Sequence, residues 1–237
     1  MQREEVLLQN LYDVRSSLAA ACQRVGRDPE EVTLVAVTKY AQDADVLSLL
    51  NKAVLSDIAE SRVQQAWARW KENPDFAKFS SVRKHFIGHL QTNKAAKAAA
   101  LFDYIDSLDD LDTAAALSKH VAPGKILRAL VQVKLTQRPT QAGLPLEKAR
   151  RLAQQVDRDF KNIAVCGYMA IAPQGATEAQ LRQLFRPLRR AWETDFANTP
   201  HKQLSLGMSE DFITAVEEGS TLPRIGSLLF SRNLEGI

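Results

Sequence analysis

The sequence predicts a (β/α)8 barrel with one extra helix ahead of the first strand. Three observations predict it. Short apolar, β-branched runs alternate with helical stripes eight times along the 237 residues, the pattern of a parallel sheet with crossover helices. The first run, residues 34–38, is apolar without alternation, as in a strand buried on both faces. No Gly-rich dinucleotide fingerprint favours the alternative, a doubly wound open sheet. Residues 1–237 are read as a single barrel domain.

The elements follow in order. Leu7, Leu11, Val14, Leu18 and Val25 form a stripe at three- and four-residue spacing, so residues 4–25 are helical and Gly26 stops them. Strand one, 34–38, runs into Lys39. Helix 46–52 leads to strand 53–58, and helix 63–70 to a third strand at 85–88. Helix 93–101 is Ala-rich. Strand 104–105 opens on Asp106 and Ser107, and helix 111–120 follows. Strand 126–133, helix 146–160, strand 163–168 and helix 178–196 make the middle of the chain. Strand 203–206 precedes a helix at 209–218, stopped by Gly219, and strand 223–226 is the eighth. Arg182, Arg186, Arg189 and Arg190 lie near one helical stripe and read as a solvated face.

Composition excludes several classes. Hydrophobic residues make up 45% and charged residues 25%, an ordinary globular balance. A net charge of +3 is too small to imply nucleic acid without a clustered patch. Cys22 and Cys166 form no metal-ligand spacing and read as free thiols of a reducing compartment, Cys166 buried in its strand. No secretory signal opens the chain and no apolar run reaches membrane-span length. A cytoplasmic monomer without membrane or nucleic-acid partners is expected.

A barrel of this kind carries its chemistry at the C-terminal ends of the strands. That rule collects Lys39, Glu60 and Ser61, Gly88 and His89, Ser107, Met169, the loop 205–209, and the loop 224–227. A lysine at the end of a buried strand is costly unless used; a partly desolvated amine forms a Schiff base with an aldehyde. The loops after strands seven and eight pair glycine with hydroxyl residues, and Ser209 is placed to start a helix whose N-terminus favours an anion. Lysine and anion loops together point to a phosphorylated aldehyde, and pyridoxal 5′-phosphate fits. His85, His89, His120 and His201 show no metal spacing. His89 either lines the site or bonds loop backbone.

Four motifs in order, Leu34-Val-Ala-Val-Thr-Lys39, His85-Phe-Ile-Gly-His-Leu-Gln-Thr-Asn-Lys94, Leu204-Ser-Leu-Gly-Met-Ser-Glu-Asp-Phe212 and Glu218-Gly-Ser-Thr-Leu-Pro-Arg-Ile-Gly-Ser227, resemble the pyridoxal phosphate homeostasis proteins over nearly the whole chain. The resemblance implies a barrel similar to the N-terminal domain of alanine racemase, with the cofactor as an imine on Lys39. It implies Arg224 at the pyridine nitrogen, Ser205, Gly226 and Ser227 at the phosphate, and Met208 and Ser209 in the same loop. The chain departs from the family pattern at Ala59 and Ser61, where Gly and Asn are usual, at Lys134, and within 137–141.

An arginine at the ring nitrogen only donates, which weakens the cofactor as an electron sink. A racemase of this type draws a second base, a tyrosine, from another domain, and the chain runs only about ten residues past strand eight. Of Tyr40, Tyr104 and Tyr168, Tyr168 is the best-placed substitute. The expected role is therefore a non-catalytic carrier in vitamin B6 and amino-acid balance, with transient contact with apo-enzymes that use the cofactor. The alternatives are a minimal racemase-like enzyme and a paralogue that has lost the cofactor.

Overall fold

A computed structural model describes residues 2–52, 55–136 and 141–231. Among these, eight parallel strands run β1 (Val35–Val37), β2 (Asp57–Glu60), β3 (Arg83–Phe86), β4 (Tyr104–Leu108), β5 (Leu127–Val133), β6 (Ile163–Ala170), β7 (Gln203–Ser205) and β8 (Arg224–Ile225). Sequential strands are neighbours from β1 to β7, and β8 lies on the other side of β1 with Val35 opposite Arg224. Backbone bonds from Leu222 N–H to Leu204 O (3.2 Å) and Arg224 N–H to Gly207 O (3.0 Å) join the β7 and β8 segments, bringing the sheet round into a barrel.

The helices are α1 (Arg3–Arg24), α2 (Asp43–Asn51), α3 (Val63–Trp67), α4 (Ala95–Leu101), α5 (Leu111–Ser118), α6 (Leu146–Asp159), α7 (Glu178–Asp195), α8 (Phe212–Glu217) and α9 (Ser227–Phe230). Strand residues facing the helices, such as Ile58, Phe86, Ile105 and Val131, join the large outer core. Val35, Ala59, Tyr104, Leu130, Met169 and Leu222 pack together in a second, smaller core inside the sheet. Period-two alternation thus separates the two cores.

The extra helix α1 buries Leu7, Leu11, Val14 and Leu18, each contributing about 2 kcal/mol of apolar burial. It also fastens α9. The fully buried Asn10 donates through Nδ2 to Leu229 O at 3.0 Å. Arg3 donates to Phe230 O and Ser231 O at 2.8 and 2.9 Å while paired with Asp45 at 2.6 Å. The carbonyls at the end of α9 are thereby satisfied by α1, which ties the loop after β8 to the first helix.

Several boundaries differ from the sequence reading. Strand two is Asp57–Glu60 rather than 53–58, of which 53–54 lie outside the described residues. Its register is set by Asp57 opposite Arg83, whose side chains are ion-paired at 2.6 Å. The third helix is α-helical only to Trp67 and continues as a π-helical turn over Ala68–Glu72. The helix expected from Ser209 begins at Phe212. Gly207 adopts φ +90°, and residues 208–211 close a turn in which Met208 N–H donates to Asp211 Oδ1 at 2.6 Å. Ser209 therefore does not start the helix. Arg182 and Arg186 form no merely solvated face: both reach across to Glu218, which caps the C-terminal end of α8, and Arg182 also pairs with Glu217.

Candidate functional site

Lys39 stands in the turn just beyond β1 and is half-buried. Among the described residues its amine has no hydrogen bond or ion pair; its one recorded neighbour is the Tyr40 ring, 5.1 Å away. Tyr40 itself is 80% exposed. The turn beneath Lys39 is held by one side chain. Arg69, in the π-helical turn, donates from Nη1 to Thr38 O (3.0 Å) and Glu60 Oε1 (2.5 Å), from Nη2 to Ala41 O (2.7 Å), and from Nε to Asp43 (2.7 Å). Glu60 is buried and also accepts from Thr38 Oγ1 at 2.7 Å. Burial raises the Glu60 pKa, and the Arg69 charge opposes the rise. No spacing rule ties Arg69 to Thr38 or Ala41, so sequence reasoning missed it.

Arg224 on β8 is buried and points into the barrel. Its Nη1 donates to Ser205 O (2.9 Å) and Ser205 Oγ (2.6 Å), and Nη2 to Ala170 O (3.1 Å). No carboxylate lies within ion-pair distance of it among the described residues, a notable condition for a buried guanidinium. Burial lowers its pKa, with Asp106 and Asp211 acting against that. Ser205 was expected at a phosphate. It is fully buried, and its hydroxyl donates to Leu222 O at 2.9 Å while accepting from Arg224. That hydroxyl is committed to fixing Arg224, so Ser205 is a positioning residue here.

The glycines mark close approaches. A Cβ on Gly226 would stand 3.1 Å from Val37 O, so β8 ends hard against β1. Ser227 follows it, exposed, as the first residue of α9. Met208 is 39% exposed and Ser209 half-buried in the neighbouring loop. A Cβ on Gly88 would come within 2.1 Å of Ser61 O, which packs the loop after β3 on the loop after β2. Ser107 Oγ donates to Gly88 O at 2.5 Å and holds that loop from β4. His89 is exposed and makes no hydrogen bond among the described residues, so it does not bond loop backbone. Met169 is fully buried in the inner core, opposite Gln132 and Ser205, and packs beneath the mouth of the barrel.

The tyrosines separate clearly. Tyr168 faces outward: its hydroxyl donates to Asp195 on α7 at 2.8 Å and its ring meets Phe196 edge-on at 5.0 Å. Burial and the Asp195 bond push its pKa up. It is a packing residue and not a base opposite Lys39. Tyr104 lies inside the barrel, stacked on His85 at 4.3 Å. The Cys166 thiol is buried, and burial pushes its pKa up to about 12. Lys134, half-buried, has its N–H on Leu144 O at 2.8 Å. Gln141 braces the same loop by donating to Ile171 O at 2.8 Å, while 137–140 lie outside the described residues.

A lysine beyond β1 with no hydrogen bond or ion pair among the described residues, a buried arginine on β8 and glycine-hydroxyl loops after β7 and β8 make up the candidate site of this barrel. No protein-family model matches the chain. The chain is 33% identical over 209 residues to a pyridoxal phosphate homeostasis protein of Synechocystis, covering 87% of this chain and 94% of that one. It is 33% identical over 232 residues to one of Pseudomonas aeruginosa, covering 94% of each. The structure of PipY of Synechococcus elongatus with pyridoxal phosphate bound superposes with a TM-score of 0.78 at 30% identity, covering 97% of this chain and all of that one. Alanine racemase of Clostridium difficile shares the fold alone, with a TM-score of 0.70 at 11% identity over 99% of this chain and 58% of the enzyme. The chain belongs to the pyridoxal phosphate homeostasis protein family.

Proposed function

We propose that this chain binds pyridoxal 5′-phosphate at the C-terminal mouth of the barrel and holds it covalently on Lys39. The observation that carries the reading is the Lys39 amine, half-buried yet without a hydrogen-bond or ion-pair partner among the described residues. A lysine so placed and left unpaired is available to a carbonyl. When bound, the cofactor supplies an aldehyde, which condenses with an amine and releases water. Arg69 and Glu60 fix the turn that presents the amine. Arg224, fixed by Ser205 and Ala170, offers only donors to a ring nitrogen. The Gly226–Ser227 and Met208–Ser209 loops supply N–H and hydroxyl donors for the phosphate.

The role is that of a carrier that limits free aldehyde in the cytoplasm and exchanges it with apo-enzymes, in support of vitamin B6 and amino-acid balance. The non-catalytic reading is supported by Tyr168, whose hydroxyl is bonded to Asp195 outside the barrel. The test is an absorbance spectrum before and after borohydride, with mass mapping. A reduced adduct on Lys39, lost in Lys39→Ala, is expected. A protein that takes up no cofactor, or an adduct on another lysine, overturns the reading. Rapid deuterium exchange at the α-carbon of alanine by the loaded protein would replace the carrier with an enzyme.

A further inference from the structure

The opposite end of the barrel, below the N-terminal ends of the strands, holds a polar cavity of about 300 Å³. Asp57, Arg83, His85, Tyr104, Arg128 and His201 are among its lining residues, and neither Lys39 nor Arg224 is. The carboxylate of this cavity is spent. Asp57 receives Arg83 Nε and Nη2 at 2.6 and 2.7 Å, Ser56 Oγ at 2.7 Å and His85 Nε2 at 3.2 Å. Its donors are not. Arg128 is half-buried with its guanidinium over the Tyr104 ring, 5.5 Å from the centroid, and has no hydrogen bond or ion pair from its side chain among the described residues. The Tyr104 hydroxyl and the His201 ring are equally without partners among them. Charge agrees with this. Arg83, Arg128 and the imidazolium of His85 outnumber the carboxylates of Asp57 and Asp106 that the imidazolium bridges.

From these unspent donors around a net positive hollow we propose a second ligand site at the N-terminal mouth, which takes a small oxyanion, phosphate or carboxylate, with Arg128 as its anchor. Arginine offers two parallel N–H donors to such a group. Tyr104 adds a hydroxyl donor, and His201 stands at the rim with φ +53°. The volume suits a small molecule and no more. The site is separate from the proposed cofactor site, so each can fail without the other.

The test is calorimetric titration of the purified protein with inorganic phosphate and, separately, with acetate, at low salt. One saturable site is expected, weakened at least tenfold in Arg128→Gln and severalfold in His201→Asn, the latter keeping a residue that tolerates the left-handed backbone. The Lys39 adduct should form normally in both variants. Tighter phosphate identifies a phosphate ligand, and tighter acetate a carboxylate. Absence of saturable binding by either anion, or equal affinity in wild type and both variants, overturns the proposal. If Arg128→Gln does not fold, the His201→Asn comparison decides alone.

Discussion

Arg69 Nη1 lies 2.5 Å from Glu60 Oε1, directly under the turn that carries Lys39. The two groups are interdependent. Glu60 is buried and needs the guanidinium charge, and Thr38 O and Ala41 O need its donors. Arg69→Ala should therefore destabilise the fold by roughly 3 kcal/mol, because it strands a buried carboxylate. Arg69→Lys should lose less, since it keeps the charge and gives up the fork. Urea unfolding measures both. The yield of borohydride-trapped adduct on Lys39 should fall in step, because the turn loses its anchor. Full stability in Arg69→Ala would show that the network is dispensable.

His85 sits between two carboxylates, with Nδ1 3.0 Å from Asp106 and Nε2 3.2 Å from Asp57. A neutral ring could donate to only one carboxylate, so two ionised carboxylates at these distances favour the imidazolium. Burial opposes the charge, but Asp106 and Asp57 prevail and raise the pKa to about 9. The unfolded value is about 6.5. The folded state therefore binds the proton more tightly, and the resulting stability is complete below pH ~6.5 and lost as pH rises through ~9. It amounts to something on the order of 3 kcal/mol. Unfolding free energies at pH 6.5 and 9.5 should differ by much of this in wild type and by far less in His85→Gln. Equal pH slopes would count against the charged ring.

Gly88 has no room for a side chain. Its Cβ would meet Ser61 O at 2.1 Å, and Ser107 holds its carbonyl from the other side. Gly88→Ala forces the two loops apart and should cost about 1–3 kcal/mol, as overpacking does. Gly175 is the control: its Cβ would meet nothing within 4 Å, although φ is +74°. Gly175→Ala should cost about 1 kcal/mol, through the backbone alone. Thermal unfolding of the two variants checks the ranking. Only Gly88→Ala should also reduce adduct formation at Lys39.

The barrel was legible because its signals are periodic. Runs such as 126–133 and stripes such as that of α1 recur at strand and helix spacing, and the structure places strands and helices there within a few residues. Strand two slipped because its apolar stretch, 53–55, precedes the charged residues that set its register through Asp57 and Arg83. The site was legible in position where the motif order fixed it, with Lys39 just beyond β1 and Arg224 on β8. It was not legible where contacts are non-local. Ser205 looked like an anion ligand from its loop, and only the buried bond to Arg224 reveals its role. Tyr168 looked available from its strand end, yet side-chain alternation turned it outward to Asp195.

If Arg224 faces the ring nitrogen of a bound cofactor, as proposed, its neighbours dictate how to test it. Its recorded partners are Ser205 O and Oγ and Ala170 O, of which both carbonyls can only accept. Arg224→Glu would set a buried carboxylate against those carbonyls and should cost about 3–5 kcal/mol, enough to confuse loss of fold with loss of function. Arg224→Gln removes the charge and retains an amide donor for one carbonyl, at a cost of about 1–3 kcal/mol. It also removes the cation that disfavours a proton on a nearby pyridine nitrogen. The absorbance of the Lys39 adduct should then shift with pH over a range where wild type does not. A spectrum indistinguishable from wild type at every pH would remove Arg224 from the ring nitrogen and leave it a structural link between β6, β7 and β8.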